Sequence, residues 1–330
     1  MSKIHENFPC RLGKIRRFGG RRRQCTGCGA TWRVWKAQQG RKPLRISPEA
    51  AHRFIFHAEL PTRLPRADWS KSRNQRQYRL SLSRRRCAET CSWPLAPNGV
   101  PLILIADGLI KRIRGAWHTW YFMLVRSIND NDATIMVPYH RQRSETGLGW
   151  RAALDTLPDS VQSRIVALVS DGHQGLIYEA RKRGWLIQRC HFHLIARIQS
   201  RRSKWKMSRH YEEGKRVYKL VKHALTTRDE SAAASTIEAL EKIWRSTPSR
   251  ALKNILRGFS SNYREYRTYL IHPELRLPTT NNTAEALIGL VENICNRARG
   301  FSQIETLHEW ITCLCKTRKT IRCAPPKSTE

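Results

Sequence analysis

The stretch "LVSDGHQGLIYEARKRGWLIQRCHFH", residues 168–193, decides how this chain folds. It opens as an apolar β run and breaks at Asp171-Gly172. Helical spacing follows through HQGLIYEARKRG, where Gly184 supplies a helix stop, and WLIQRC restarts as a second short strand. Strand, helix, strand predicts a right-handed crossover between parallel strands of one sheet. Two groups in the stretch need partners: an acid at the tip of an apolar strand, and Cys190-His191-Phe192-His193 directly after the next strand.

Upstream lie three more β runs: LILIADGLI, ending in Asp107, TWYFMLVRSI (119–128) and ATIMVPYH (133–140). TGLGWRAALDTLPDS then reads as a helix closed by Pro158, and RIVALVSDG (164–172) as the fourth strand. The order three strands, helix, strand, helix, strand predicts an α/β fold on a mixed sheet, with the first three strands as an antiparallel meander. The first and fourth strands are then adjacent and parallel, so Asp107 and Asp171 emerge at one edge. A third carboxylate on a helix across the sheet would complete a site for two divalent cations. Mg2+ prefers such oxygen ligands, and a metal pair serves in-line phosphodiester displacement. The plainer alternative is that Asp-Gly is an ordinary strand-end turn.

The charge balance points the same way. The 330 residues carry 61 Lys and Arg against 26 Asp and Glu, a net +35. A polyanion relieves such self-repulsion by releasing its counterions, so nucleic acid is the expected partner. A membrane is the poorer fit, because no long uncharged apolar run occurs. MSKIHENFPCRLGKIRR does not read as a secretory signal, which predicts a cytoplasmic, nucleoid-associated protein.

Residues 1–94 hold 23 Lys or Arg against 5 Asp or Glu, an excess of +18. Among the ten cysteines, mostly reduced thiols or metal ligands in this context, Cys25-x-x-Cys28 has the spacing of a zinc knuckle. Cys10 is the candidate third zinc ligand and His5 the fourth; a pair of buried thiols is the alternative. Residues 1–45 thus read as a zinc-ribbon-like basic lobe, with Arg21, Arg22 and Arg23 as DNA contacts ahead of the knuckle. Residues 46–94 read as a helical DNA-binding region, either a helix-turn-helix reader or a solvated basic helix pair. SWPLAPNGVP (92–101) is the linker.

Residues 194–277 are helical in pattern, with ten Lys or Arg between 197 and 222. After Pro278 a fresh helix begins, with Thr279 to Thr283 as caps and Glu285 in its first turn.

"IADGL", "SDGHQGL", "CHFH" and "TNNTAEAL", in this order and with the helical stretch before the last, resemble the DDE transposases of bacterial insertion sequences and their Mutator-like relatives. The resemblance implies an RNase H-like fold with an all-α insertion. Residues 100–193 would be the first part of the catalytic core, 194–277 the insertion, and 278–330 the end of the core with its Glu-bearing helix. It makes Asp107, Asp171 and Glu285 the catalytic acids and the ligands of two Mg2+, with Mn2+ as a substitute, and maps a Cys-x-x-His element onto Cys190 and His193. These two could hold the insertion against the core, contact a DNA end or bind a metal; a buried thiol beside a hydrogen-bonded histidine is the alternative. Glu292 and Glu305 rival Glu285, His173 either touches a phosphate or caps a turn, and Arg297 and Arg299 suit phosphates.

The implied activity is binding of terminal inverted repeats, then Mg-dependent strand cleavage and strand transfer. Its partners would be double-stranded DNA, as element ends and target, and a second copy of the chain in a synaptic homo-oligomer. A zinc-containing DNA-binding regulator without catalysis, and a structure-specific nuclease of the same fold, are the competing readings.

Overall fold

A computed structural model describes residues 15–17, 22–27, 29–33, 93–97, 99–205, 210–297 and 303–323. The chain divides into two units, Met1–Ala51 and His52–Glu330. In the first, β1 (Ile15–Arg17), β2 (Arg22–Cys25) and β3 (Thr31–Arg33) form an antiparallel sheet in that order. A tight turn closes the β2–β3 hairpin. Gly29 accepts a left-handed φ of 71° there and donates its N–H to Cys25 O at 3.0 Å.

The second unit holds the larger sheet, with order β10-β6-β5-β4-β8-β9. β4 (Leu102–Ile113) and β5 (Ala116–Ser127) make a hairpin of two 12-residue strands. β8 (Ile165–Ser170) adds parallel to β4, and β9 (Leu186–Arg189) parallel to β8. The helix crossing between β8 and β9 is Gln174–Lys182, and Gly184 follows it with φ 73°.

The structure corrects the sequence reading at four places. β4 does not end at Asp107 but runs six residues further, because Arg114 and Gly115, both at positive φ, form the two-residue turn that suits the twist of paired strands. ATIMVPYH is two strands, β6 (Asp132–Ile135) and β7 (Tyr139–Arg141), which pair with different stretches of β5. Pro138 lies between them, and its ring offers no N–H to a ladder. The helix α1 (Gly147–Leu154) stops before Pro158, which precedes a second, short helix α2 (Asp159–Gln162). A final strand, β10 (Thr320–Arg322), closes the far edge against β6.

The crossover helix is α3. The all-helical stretch comprises α4 (His191–Trp205), α5 (Tyr211–Thr226), α6 (Glu230–Ser246), α7 (Arg250–Ser260), α8 (Tyr263–Tyr266) and α9 (Thr268–Ile271). Its own core packs Val217, Val221, Leu240, Leu252, Leu256 and Phe259. Buried Gln188 of β9 ties its end to the sheet, donating to Tyr266 O at 3.1 Å and accepting from Tyr269 N at 2.9 Å. Arg267, 1% exposed, donates to Ala224 O near the end of α5 and to Thr227 O just past it, and pairs with Glu230.

The chain then returns as α10 (Asn282–Arg297) and α11 (Ile304–Arg318), which cover one face of the large sheet. α1, α2 and α3 cover the other. Both faces bury wide apolar surfaces, the main drive for such layering. α1 and α3 meet at Gly147 and Gly175: a Cβ on Gly175 would stand 2.3 Å from Gly147 Cα.

Candidate active site

Strand alternation aims the acids. On β4, Ile103, Ile105 and Leu109 face α10 and α11, whereas Leu102, Leu104 and Ala106 face the opposite layer. Asp107 falls in the first series, since successive side chains alternate faces. On β8, Ala167 and Val169 face α10, and Asp171 continues that series. Ile105 pairs with Val169, so the two acids follow two residues beyond one registered pair on parallel neighbours.

Helix α10 supplies the third acid. Asn281, fully buried just before it, donates Nδ2 to Asp107 Oδ2 at 3.1 Å, and its N–H reaches Cys190 Sγ at 3.5 Å. Its carbonyl accepts from Ala284 and Glu285. One residue thus starts the helix, orients Asp107 and touches the cysteine. Cys190 N donates to Ser170 O at 2.8 Å, prolonging the β8–β9 ladder, and His191 N donates to Thr279 O at 2.8 Å. The start of α4 is thereby held against the segment that leads into α10. His193 Nδ1 lies 3.5 Å from Glu285 Oε1.

Burial raises the Asp107 carboxyl to about 7; Asp171, and then Glu285 and Glu145, push it the same way against the N–H of Gly108, which donates to Oδ1 at 2.8 Å. Burial likewise lifts the Cys190 thiol to about 11, so it is protonated at neutral pH. Among the described residues, the His, Cys, Asp and Glu side chains whose ligand atoms all approach within 4.8 Å are Cys190, His193 and Glu285. Asp171 and Glu285 lie near enough to Asp107 to raise its pKa, but the three acids do not form such a group among the described residues.

The rivals of Glu285 are engaged elsewhere. Glu292 pairs with Lys111 at 3.1 Å and is half exposed. Glu305 lies in the first turn of α11, near His140, whose ring meets that of His308 at a tilt. His173 precedes α3, with its N–H on Asp171 Oδ1 at 3.1 Å, and its Nε2 comes within 3.9 Å of Glu145. In the first unit, Cys25 is buried, Arg22 is exposed and Arg23 partly so. His5, Cys10, Arg21, Cys28 and Arg299 lie outside the described residues, as does the side chain of Arg297 at the end of α10.

Glu145 is the acid that the sequence did not reveal. Its Oε1 accepts from Trp150 Nε1 at 2.7 Å, and its carboxylate covers Gly108, where a Cβ would meet it at 2.9 Å. Burial raises its pKa, although His173 and the Trp150 bond oppose this. Glycine after Asp107 therefore serves a close approach in mid-strand, not a turn. In RQRSETGLGW the acid reads as an ordinary charge ahead of a helix start, which helix dipoles favour anyway; the only signal was its placement in a chain poor in acids.

Comparison with known families matches residues 100–308 to the transposases of the Mutator family. Comparison with curated proteins finds none that matches the chain. No helix among the described residues is long and apolar enough to cross a membrane.

Proposed function

The chain belongs to the Mutator family of transposases, and we propose that it binds the terminal inverted repeats of a mobile element and cuts and joins DNA with Asp107, Asp171 and Glu285 as its catalytic acids. The observation that carries this reading is the registered pair of strands: β4 and β8, parallel and adjacent, turn both aspartates toward the helix that bears Glu285. The strand order β6-β5-β4-β8-β9, with β5 antiparallel, supports an RNase H-like core from residue 100, interrupted by the helices at 194–277 and completed by 278–330.

The residues fit divalent cations. Asp107 is pushed to about 7 in part by three neighbouring carboxylates, a repulsion that bound positive charge would relieve. Asp107, Asp171 and Glu285 would hold Mg2+, or Mn2+ in its stead. When bound, such ions supply a sharpened nucleophile and charge stabilisation on the leaving oxygen. The chain's own groups do the positioning. Asn281 and the Gly108 N–H fix the two oxygens of Asp107, the His173 N–H fixes Asp171, and the cap-like carbonyl of Asn281 fixes the first turn from which Glu285 projects. The basic residues of 1–94 would bind the DNA ends, with a zinc-ribbon-like lobe at 1–45 built on Cys10, Cys25, Cys28 and His5 and a helical reader at 46–94. Transfer between two ends calls for a homo-oligomer.

The test is incubation of the full chain in Mg2+ with DNA bearing the inverted repeats that flank its coding region. Cuts at the repeat ends followed by joined products are expected. Cuts without regard to the repeats and without joining would favour a nuclease, and tight binding without cuts a regulator.

A further inference from the structure

The Cys-x-x-His element lies against Glu285, and the DNA chemistry gives Cys190 and His193 themselves no part. Cys190 Sγ, His193 and Glu285 offer a thiol, an imidazole and a carboxylate whose ligand atoms lie within 4.8 Å of one another. The ligands of a tetrahedral zinc stand roughly 3.3–3.8 Å apart, as bonds of about 2.0–2.3 Å imply. The 3.5 Å between His193 Nδ1 and Glu285 Oε1 is already that spacing. A second, independent observation concerns the same two atoms. His193 Nδ1 and Glu285 Oε1 are both buried and have no hydrogen-bond partner, although polar atoms removed from water ordinarily find one. They approach each other without the alignment of a bond.

We propose that Cys190, His193 and Glu285 form a binding site for a borderline-soft divalent cation of the zinc type, separate in chemistry from the oxygen site at Asp107 and Asp171 and sharing Glu285 with it. Thiolate and imidazole select such an ion over Mg2+, which prefers oxygen. Three protein ligands leave a fourth tetrahedral position for water or a further donor. Binding displaces the thiol proton of Cys190, one proton per ion taken up. Because Glu285 serves both donor sets, an ion held at Cys190 and His193 withdraws the glutamate from the aspartates. Zinc would then oppose Mg-dependent cleavage through a shared ligand. The last step rests on the function proposed above; the site itself does not.

Cobalt(II) separates the two, because its thiolate charge-transfer band reports sulfur ligation without any DNA chemistry. The full chain carrying Cys25→Ser and Cys28→Ser, which removes the knuckle thiolates, should take up one Co2+ with such a band, and Zn2+ should bleach it. Adding Cys190→Ser should abolish the band, while His193→Ala and Glu285→Gln should each weaken binding by roughly tenfold or more, since even outer partners of a metal site cost that much. His193 is partly exposed, so its variant keeps the test valid if the buried Cys190→Ser chain fails to fold. No band in the folded parent, or equal affinity in the His193→Ala and Glu285→Gln chains, would overturn the site. A normal band in a chain that never cleaves DNA would uphold it and count against the function instead.

Discussion

A buried carboxylate and a half-buried one, on opposite faces of the same sheet, receive opposite treatment. Glu179 of α3, 2% exposed, sits between Arg151 and Arg183, which both donate to it. Burial by itself would raise its pKa, but the bonds from Arg183 and Arg151 outweigh that and hold it below the usual range. Asp107 is supported by two amide donors, Gly108 N and Asn281 Nδ2, while Asp171, Glu285 and Glu145 crowd it. A chain with 61 basic residues has arginines to spare for any acid it needs to neutralise. It uses two on Glu179 and surrounds Asp107 with acids. The first arrangement ties α3 to α1 within one layer; the second leaves the Asp107 carboxyl without a cationic partner among the described residues, a perturbation of the kind that functional sites favour.

The comparison predicts that charge removal costs activity at one site and stability at the other. Asp107→Asn, Asp171→Asn and Glu285→Gln should each cut Mg-dependent cleavage by roughly a hundredfold or more, the upper end of what loss of a supporting partner alone does. DNA binding, read by gel shift, should persist. Cleavage at the parental rate in all three would break the contrast.

Glu179→Ala should leave cleavage chemistry intact but destabilise the fold by about 2 kcal/mol, because charge-assisted hydrogen bonds from two partly exposed guanidinium groups are lost. Denaturant unfolding measures it. With its folded pKa depressed, Glu179 contributes stability that is present above the ordinary glutamate range and lost as pH falls through the lowered value. The parental chain should therefore approach the variant's midpoint in acid.

Asp107 has the reverse sign. Its folded pKa is raised from 3.8 to about 7, so the folded state keeps a proton that the unfolded state releases, and stability falls as pH rises between those values. Asp107→Asn, without divalent ions, should raise the melting temperature by a few degrees at pH 8 and give no gain in strong acid. Asn281, whose Oδ1 is buried without a partner, can turn its amide to meet the new group. A lower melting temperature at pH 8 would mean that Asp107 is a structural acid like Glu179.

The smallest effect belongs to Glu292→Gln. It loses an exposed pair with Lys111, of a kind that contributes about 0–1 kcal/mol, and should cleave almost as the parent does. A cleavage loss there, with Glu285→Gln active, would transfer the catalytic role to Glu292.

The alternation of LILIAD and IVALVSD, and the strand-helix-strand pattern ending in CHFH, determined by themselves that two aspartates share one edge of a mixed sheet. Apolar periodicity reports which face a residue takes, and crossover handedness leaves little choice of neighbours. Motif order pointed to the family, and Gly184 to the end of α3. The tertiary structure alone decided the rest. Glu145 came to Gly108 from a loop 37 positions away, and such an approach leaves no periodic trace. The extension of β4 past Asp107 depended on β5 folding back to pair with it, since KRIR is too polar to read as strand alone. Glu285 rather than Glu292 reached Cys190 and His193 because Asn281 is anchored to both Asp107 and Cys190, which fixes where α10 begins. Helical spacing puts both glutamates on one face; only long-range hydrogen bonds choose the turn that meets the sheet.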